Sequence, residues 1–166
     1  PEWSDRGDGP GAPVASHLPN SPVIQTGKRD GSKIRLPNGN YLEETASYYV
    51  LVETKAGGMT PALITMKSTQ LNVSKKWNSM MKTIQIPDGK GGFAIPPMHG
   101  VVYNLQSVLQ KNDKGSWYGW SVTQDRIMEV GKDTALYNEA KNFQATASKG
   151  NVQTKESVEE KPKDST

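Results

Sequence analysis

From Lys67 to Asn78 the sequence reads KSTQLNVSKKWN, three lysines and a tryptophan in a span where a strand-like run gives way to a helical period. Ammonium groups answer phosphates and aromatic rings answer nucleobases, so this pairing on one rigid element suits a polyanion with stackable rings. Ser68, Thr69 and Ser74 add hydroxyls at the same passage. Together with the first free amides of the helix, Lys67, Lys75 and Lys76 would suit a phosphate. A second constellation is Ser116 to Val122, SWYGWSV. In a strand its side chains alternate, so Trp117, Gly119 and Ser121 share one face while Tyr118, Trp120 and Val122 share the other. If one face is core, the other presents at least one large ring, and base stacking on such a ring contributes about 1–3 kcal/mol per base. Tyr48 and Tyr49 are adjacent and must divide between faces in the same way. The candidate nucleic-acid-binding residues are therefore Arg35, Tyr48, Lys67, Lys75, Lys76, Trp117, Tyr118 and Trp120. Trp77 is assigned to the core, because it shares a helical stripe with Val73 and Ile84. The plainer reading of the others is a solvated lysine face and a strand whose rings are core.

No catalytic set accompanies these residues. There is no Gly-x-Ser-x-Gly elbow, and Glu43-Glu44 and Glu159-Glu160 are adjacent pairs that diverge in a strand or float in a tail. Gly89-Lys-Gly-Gly92 lacks the spacing of a phosphate-binding P-loop. Without cysteine there is neither a disulfide nor a thiolate metal site, and His17 and His99 stand outside any metal-ligand spacing. The expectation is a binding module without cofactor, not an enzyme.

The elements that must position these residues follow from turns and periods. SKIRL and YLEE flank Pro37-Asn38-Gly39, a strong hairpin signal. Ser47–Glu53 and Ala62–Lys67 flank the glycine turn Lys55–Met59, predicting a second hairpin. Val73, Trp77, Met80 or Met81 and Ile84 share one helical face, and Pro87 ends the run. The glycine-rich PDGKGGFAIPP reads as a loop. Val101–Gln110 and Ser116–Gln124 flank an Asn112–Gly115 turn and should form the longest hairpin. Asp133 is placed to cap a helix with Leu136, Ala140, Phe143 and Ala147 on one stripe. Three strands, a helix, two strands and a helix is the order of an OB-fold, so the expected class is mainly β, an OB-fold-like five-stranded antiparallel barrel with a helix between strands 3 and 4 and a C-terminal helix. A small β-sandwich or a single curved sheet covered by a helix are the alternatives.

The 166 residues allow one domain with tails: a Gly/Pro-rich irregular arm over 1–27, an OB-like nucleic-acid-binding domain over 28–148, and a disordered tail over 149–166. Hydrophobic residues make up 34% and mean hydropathy is −0.68, consistent with a modest core. Residues 28–126 hold thirteen basic and seven acidic side chains, whereas the segments on either side are net acidic. A basic body favours polyanionic partners. No apolar run approaches the ~20 residues of a membrane span, and membrane association is not expected.

MKSTQLNVSKKWNSMM, KNDKGSWYGWSV and LYNEAKNF resemble a family of tailed-bacteriophage proteins encoded among replication genes and thought to bind single-stranded DNA. The resemblance covers residues 38–145. APVASHLPN also looks like the middle of that family, which implies a missing N-terminal portion. The resemblance implies a non-catalytic single-stranded DNA-binding protein acting in replication or recombination in the cytoplasm of an infected bacterial host, with little base preference. For the weakly acidic C-terminal tail a simple disordered end is the first reading and competition with DNA or recruitment of phage replication proteins the second, and homo-oligomerisation is open. A virion structural or assembly protein is the alternative. A carbohydrate-binding module with Trp117 or Trp120 as sugar platform is a third reading, opposed by the surplus of lysines.

Overall fold

In the computed structural model residues 1–4 and 13–150 are described, and their contacts fall into two units. The first comprises Pro1–Ala46 and Thr65–Ser74, the second Ser47–Ile64 and Lys75 onward.

Four short strands build the sheet of the first unit: β1 (Glu2–Trp3), β2 (Lys28–Asp30), β3 (Lys33–Arg35) and β4 (Tyr41–Glu43), in the order β1-β4-β3-β2 and antiparallel throughout. The Asn-Gly turn between β3 and β4 forms as expected. Gly39 takes a φ of 87°, the amide of Leu36 donates to Asn40 O at 2.8 Å, and Asn38 Oδ1 accepts from the Asn40 amide at 2.9 Å. The β2–β3 turn is Gly31-Ser32, between the paired Asp30 and Lys33, with Gly31 at φ 59° in its first position. A five-residue helix, α1 (Pro22–Thr26), precedes β2. Only glycine fits at Gly27 between them, because a Cβ there would lie 2.3 Å from Ile34 Cγ2 and 2.9 Å from Arg35 O. Both β1 and α1 fall within the opening stretch.

Ile34, Leu42 and Glu2 lie opposite one another on one sheet face, and Leu36, Leu42 and Met66 are buried. Glu2 is also buried, 7% exposed. Its carboxylate is satisfied by Asn40 Nδ2 at 2.6 Å, Asn38 Nδ2 at 3.2 Å and His17 Nε2 at 2.7 Å. These donors, Asn40 foremost, then His17, hold its pKa below the ordinary glutamate value.

Two long strands, β5 (Thr45–Glu53) and β6 (Met59–Lys67), form the second expected hairpin, closed by Thr54, whose amide donates to Gly58 O at 2.8 Å. Ser68, at φ 50°, turns the chain out of β6 through a 3-10 turn into α2 (Leu71–Thr83). Trp77 and Ile84 of the expected stripe are buried, and Val73, Met80 and Met81 are half-buried. In the glycine-rich segment Asp88 Oδ1 accepts from the amides of Lys90 (2.8 Å) and Gly92 (2.9 Å), bonds that lower its pKa. They close a tiny ribbon of β7 (Ile86–Pro87) and β8 (Phe93–Ala94), where a plain loop is expected from the sequence.

β9 (Val101–Asn112) and β10 (Gly115–Ile127) form the longest hairpin, as predicted. The last helix, α3 (Thr134–Ser148), packs on the 3-10 turn Met98–Gly100, where Tyr137 meets the His99 ring edge-on at 4.9 Å and Gln144 Oε1 bonds His99 Nδ1. Asp133 precedes this helix but does not cap it. Its carboxylate turns back to the Glu129 amide (2.9 Å) and to Arg126 Nη1 (2.8 Å), and these contacts lower its pKa.

The expected five-stranded OB-like barrel is not formed. Among the described residues the strands pair into one four-stranded and three two-stranded sheets, with no closed barrel. Hairpin order restricts neighbours in the chain, but closure needs strand pairing between hairpins, and among the described residues the β5–β6 and β9–β10 hairpins each stand as a separate sheet. The predicted tail beyond residue 150 lies outside the described residues.

Two outcomes follow from this packing. Trp77→Ala removes a buried ring and should lower stability by about 3–5 kcal/mol in urea denaturation. Because the pKa of Glu2 is depressed on folding, its contribution is present above about pH 4.3 and lost as pH falls through the folded value. Melting temperature measured across the acid range should therefore fall less steeply in Glu2→Gln than in the unaltered chain.

Candidate functional site

The β9–β10 register determines which rings face out. Tyr118 pairs with Leu109, Trp120 with Ser107, Val122 with Leu105 and Gln124 with Tyr103, so these residues line one face of the ribbon. At the base of this face Trp77 of α2 meets Tyr103 edge-on, ring centroids 5.6 Å apart. Burial there pushes the Tyr103 phenol up. Further along, exposure rises: Trp120 is 37% exposed, Leu109 55% and Tyr118 72%. Lys111 continues the same face, opposite Ser116, and Lys114 sits in the turn, its amide held by Asn112 Oδ1 at 2.8 Å. Gly115 takes a φ of 141°, which lets the strands leave this two-residue loop.

On the other face Trp117 pairs with Gln110 and Gly119 with Val108. Trp117 is half-buried and its indole Nε1 is buried, and Gly119 is buried. The two predicted tryptophans thus have different surroundings, with Trp120 on the face that opens to solvent beside Tyr118. A bulge at Asp125 then shifts the register, so that Arg126 pairs with Val102 and reaches Asp133.

The remaining predicted residues are distributed. Tyr48 stacks on Trp77, centroids 4.4 Å apart at 32°, and its hydroxyl donates to Asn78 Oδ1 at 3.0 Å; its neighbour Tyr49, 47% exposed, is the outward member of the pair. Lys75 and Lys76 are exposed on α2. Arg35 and Lys67 belong to the first unit. Arg35 Nε lies 3.4 Å from Asp30 Oδ2, and Lys67 Nζ lies 3.5 Å from Glu43 Oε2 and 5.7 Å from the Trp3 ring centre. Leu109, Lys111 and Lys114 were not among the candidates. Their signal is the cross-strand register that the Asn112–Gly115 turn imposes. Among the described residues no three His, Asp or Glu side chains come together as a metal-binding group, and no helix is long and apolar enough to cross a membrane.

Comparison with family models places this chain among bacteriophage proteins. It belongs to the family described as Pam3 phage gp34-like protein, whose model matches residues 1–153. No curated protein and no solved structure matches it.

The difference between the ribbon faces is measurable as stability. Tyr118→Ala should change the unfolding free energy by no more than about 0.5 kcal/mol. Trp117→Ala should cost about 2 kcal/mol or more, because its ring is half-buried over a buried glycine position. Urea titrations of the two variants test this.

Proposed function

We propose that this phage protein binds single-stranded DNA without acting on it chemically, and that the distal outer face of the β9–β10 ribbon is its stacking platform. The observation that carries the reading is the exposed stripe of Leu109 and Tyr118, with the part-exposed Trp120 beside them, Lys111 on the same face and Lys114 at its end. Rings on a strand with cations beside them offer stacking surfaces to bases and charge to phosphates, with no demand for a particular sequence. Lys75 and Lys76 on α2 add positive charge to the same unit. The sequence resemblance to phage proteins encoded among replication genes supports the same reading. A place in replication or recombination in the host cytoplasm, and recruitment of replication proteins through the C-terminal segment, accompany it.

A second reading, a subunit contact in a phage assembly, draws on the apolar character of Leu109 within the stripe and on the unpaired outer edges of this two-stranded sheet among the described residues. It expects concentration-dependent self-association that is lost in Leu109→Lys.

Titration of oligo-dT against intrinsic tryptophan fluorescence at low and high salt tests the leading reading. Expected is quenching that weakens steeply with salt, and an affinity loss of about tenfold or more in Tyr118→Ala with Trp120→Ala, each stacked base contributing about 1–3 kcal/mol. Lys75→Glu with Lys76→Glu should weaken binding and make the salt dependence shallower. Absence of binding at low salt by folded protein would overturn the reading.

A further inference from the structure

The outward side of α2 is free of acids. From Lys75 onward the helix belongs to the same unit as the β9–β10 ribbon, and its buried Trp77 meets Tyr103 on the ribbon's outer face. At about 100° per residue, Lys75, Ser79 and Lys82 lie about 140–160° round the helix from Trp77. They therefore look away from the ribbon, on the side to which Leu109 and Tyr118 are exposed. Lys76, about 100° from Trp77, flanks this line. All four residues are exposed. No aspartate or glutamate occurs in α2, and none of its three lysines enters an ion pair among the described residues.

Helix stability accounts for one of these cations. Lys82 stands in the last turn, where a positive charge meets the carbonyl end of the helix dipole. Lys75 and Lys76 stand outside that turn, beyond the reach of the dipole, and no carboxylate holds them. Lys75 and Lys82 are about 10 Å apart along the axis, with Ser79 between them. Ammonium, hydroxyl and ammonium in a row suit the phosphates of a backbone rather than a base edge.

The ribbon supplies the direction of approach. Along β10, Tyr118 lies about 20 Å from Gln124, whose partner Tyr103 touches the helix. A nucleic-acid strand stacked on Tyr118 and followed toward the ribbon base thus reaches α2. It must turn aside or pass over the helix, and the face it would cross is the lysine line.

We infer that the Lys75–Ser79–Lys82 line, flanked by Lys76, is a backbone tract that continues the ribbon platform, so that one single-stranded nucleic acid has bases stacked on the ribbon and phosphodiesters on the helix. The inference rests on the stacking reading of the ribbon. It adds Ser79 and Lys82 to the site and makes the role of the helix depend on length, because a strand short enough for the stripe never reaches α2.

Oligo-dT of about six and about sixteen nucleotides, within the range of site sizes of small single-strand-binding folds, is titrated against the full chain over a salt series by tryptophan fluorescence. Lys75→Gln with Lys82→Gln keeps good helix formers at both positions. For the longer oligonucleotide this variant is expected to lose affinity, with the slope of log affinity against log salt shallower by about 1.4, at about 0.7 per cation for a single strand. The shorter one is expected to bind both proteins alike; where it binds neither, the slope change on the longer one decides. An unchanged urea midpoint establishes that the helix is still seated; if it falls, Lys75→Gln alone is used, with half the slope change expected. Equal losses at both lengths, or an unchanged slope on the longer oligonucleotide, would overturn the tract and leave the ribbon reading standing. Lysine-dependent binding that Tyr118→Ala with Trp120→Ala does not weaken would overturn the ribbon reading and the continuous path with it. Absence of binding at both lengths would overturn both.

Discussion

Trp77 lies between Tyr48 and Tyr103, and this three-ring contact joins β5, α2 and β9. A buried indole excludes water from a large area and tolerates little displacement in a close-packed interior. The helix is thereby seated at the base of the long ribbon. Its reach is limited: thirteen residues span about 20 Å of helix, whereas a twelve-residue strand runs about 40 Å. A helix of that length cannot cover the whole face. The same period-2 alternation that feeds Tyr103 and Leu105 to the interior therefore continues past the cover and puts Leu109, Trp120 and Tyr118 in solvent. The wet aromatic stripe is the overhang of a core that ran out of helix.

Local signals were legible where the physics is local. Asn38-Gly39 specified its hairpin because positive φ is needed at Gly39, and a Gly-Ser two-residue turn at Gly31-Ser32 is the signal that β2 carried. The spacing of Val73, Trp77 and Ile84 placed Trp77 inside. SWYGWSV announced two faces but not which was outward, since that depends on where α2 lands, a contact between residues far apart in the chain. The contact of Tyr48 with Trp77 was not legible for the same reason. The barrel was expected from the order of strands, yet order does not encode the hydrogen bonds between hairpins that closure needs. β1 is two residues long, too short for any period, and is held by Glu2 bonding to Asn38 and Asn40, partners more than thirty positions away. Asp133 had the right identity and place for a cap, but Arg126 and the Glu129 amide compete for its carboxylate.

Charge is handled differently in the two units. In the first, acids and cations interleave on one sheet face, and Glu2 on the other face is surrounded by the donors Asn40, His17 and Asn38, which favour its ionised form. In the second, the cations Lys75, Lys76, Lys111 and Lys114 sit on a helix surface and a hairpin end, where long solvated side chains keep their freedom. A chain of modest net charge thus carries locally positive regions on quite different backbones.

The two-residue loop Asp113-Lys114 at the ribbon's end has a consequence for how this family can diverge. Strand faces exchange with every single residue gained or lost, so one insertion within β10 between the loop and Trp117 would send Trp117 outward and turn Tyr118 and Trp120 toward the drier side. Length change in that stretch is a question of parity. Pairs of residues extend the ribbon and preserve its aromatic pattern, whereas an odd change inverts it unless a bulge, like the one at Asp125, absorbs the extra residue.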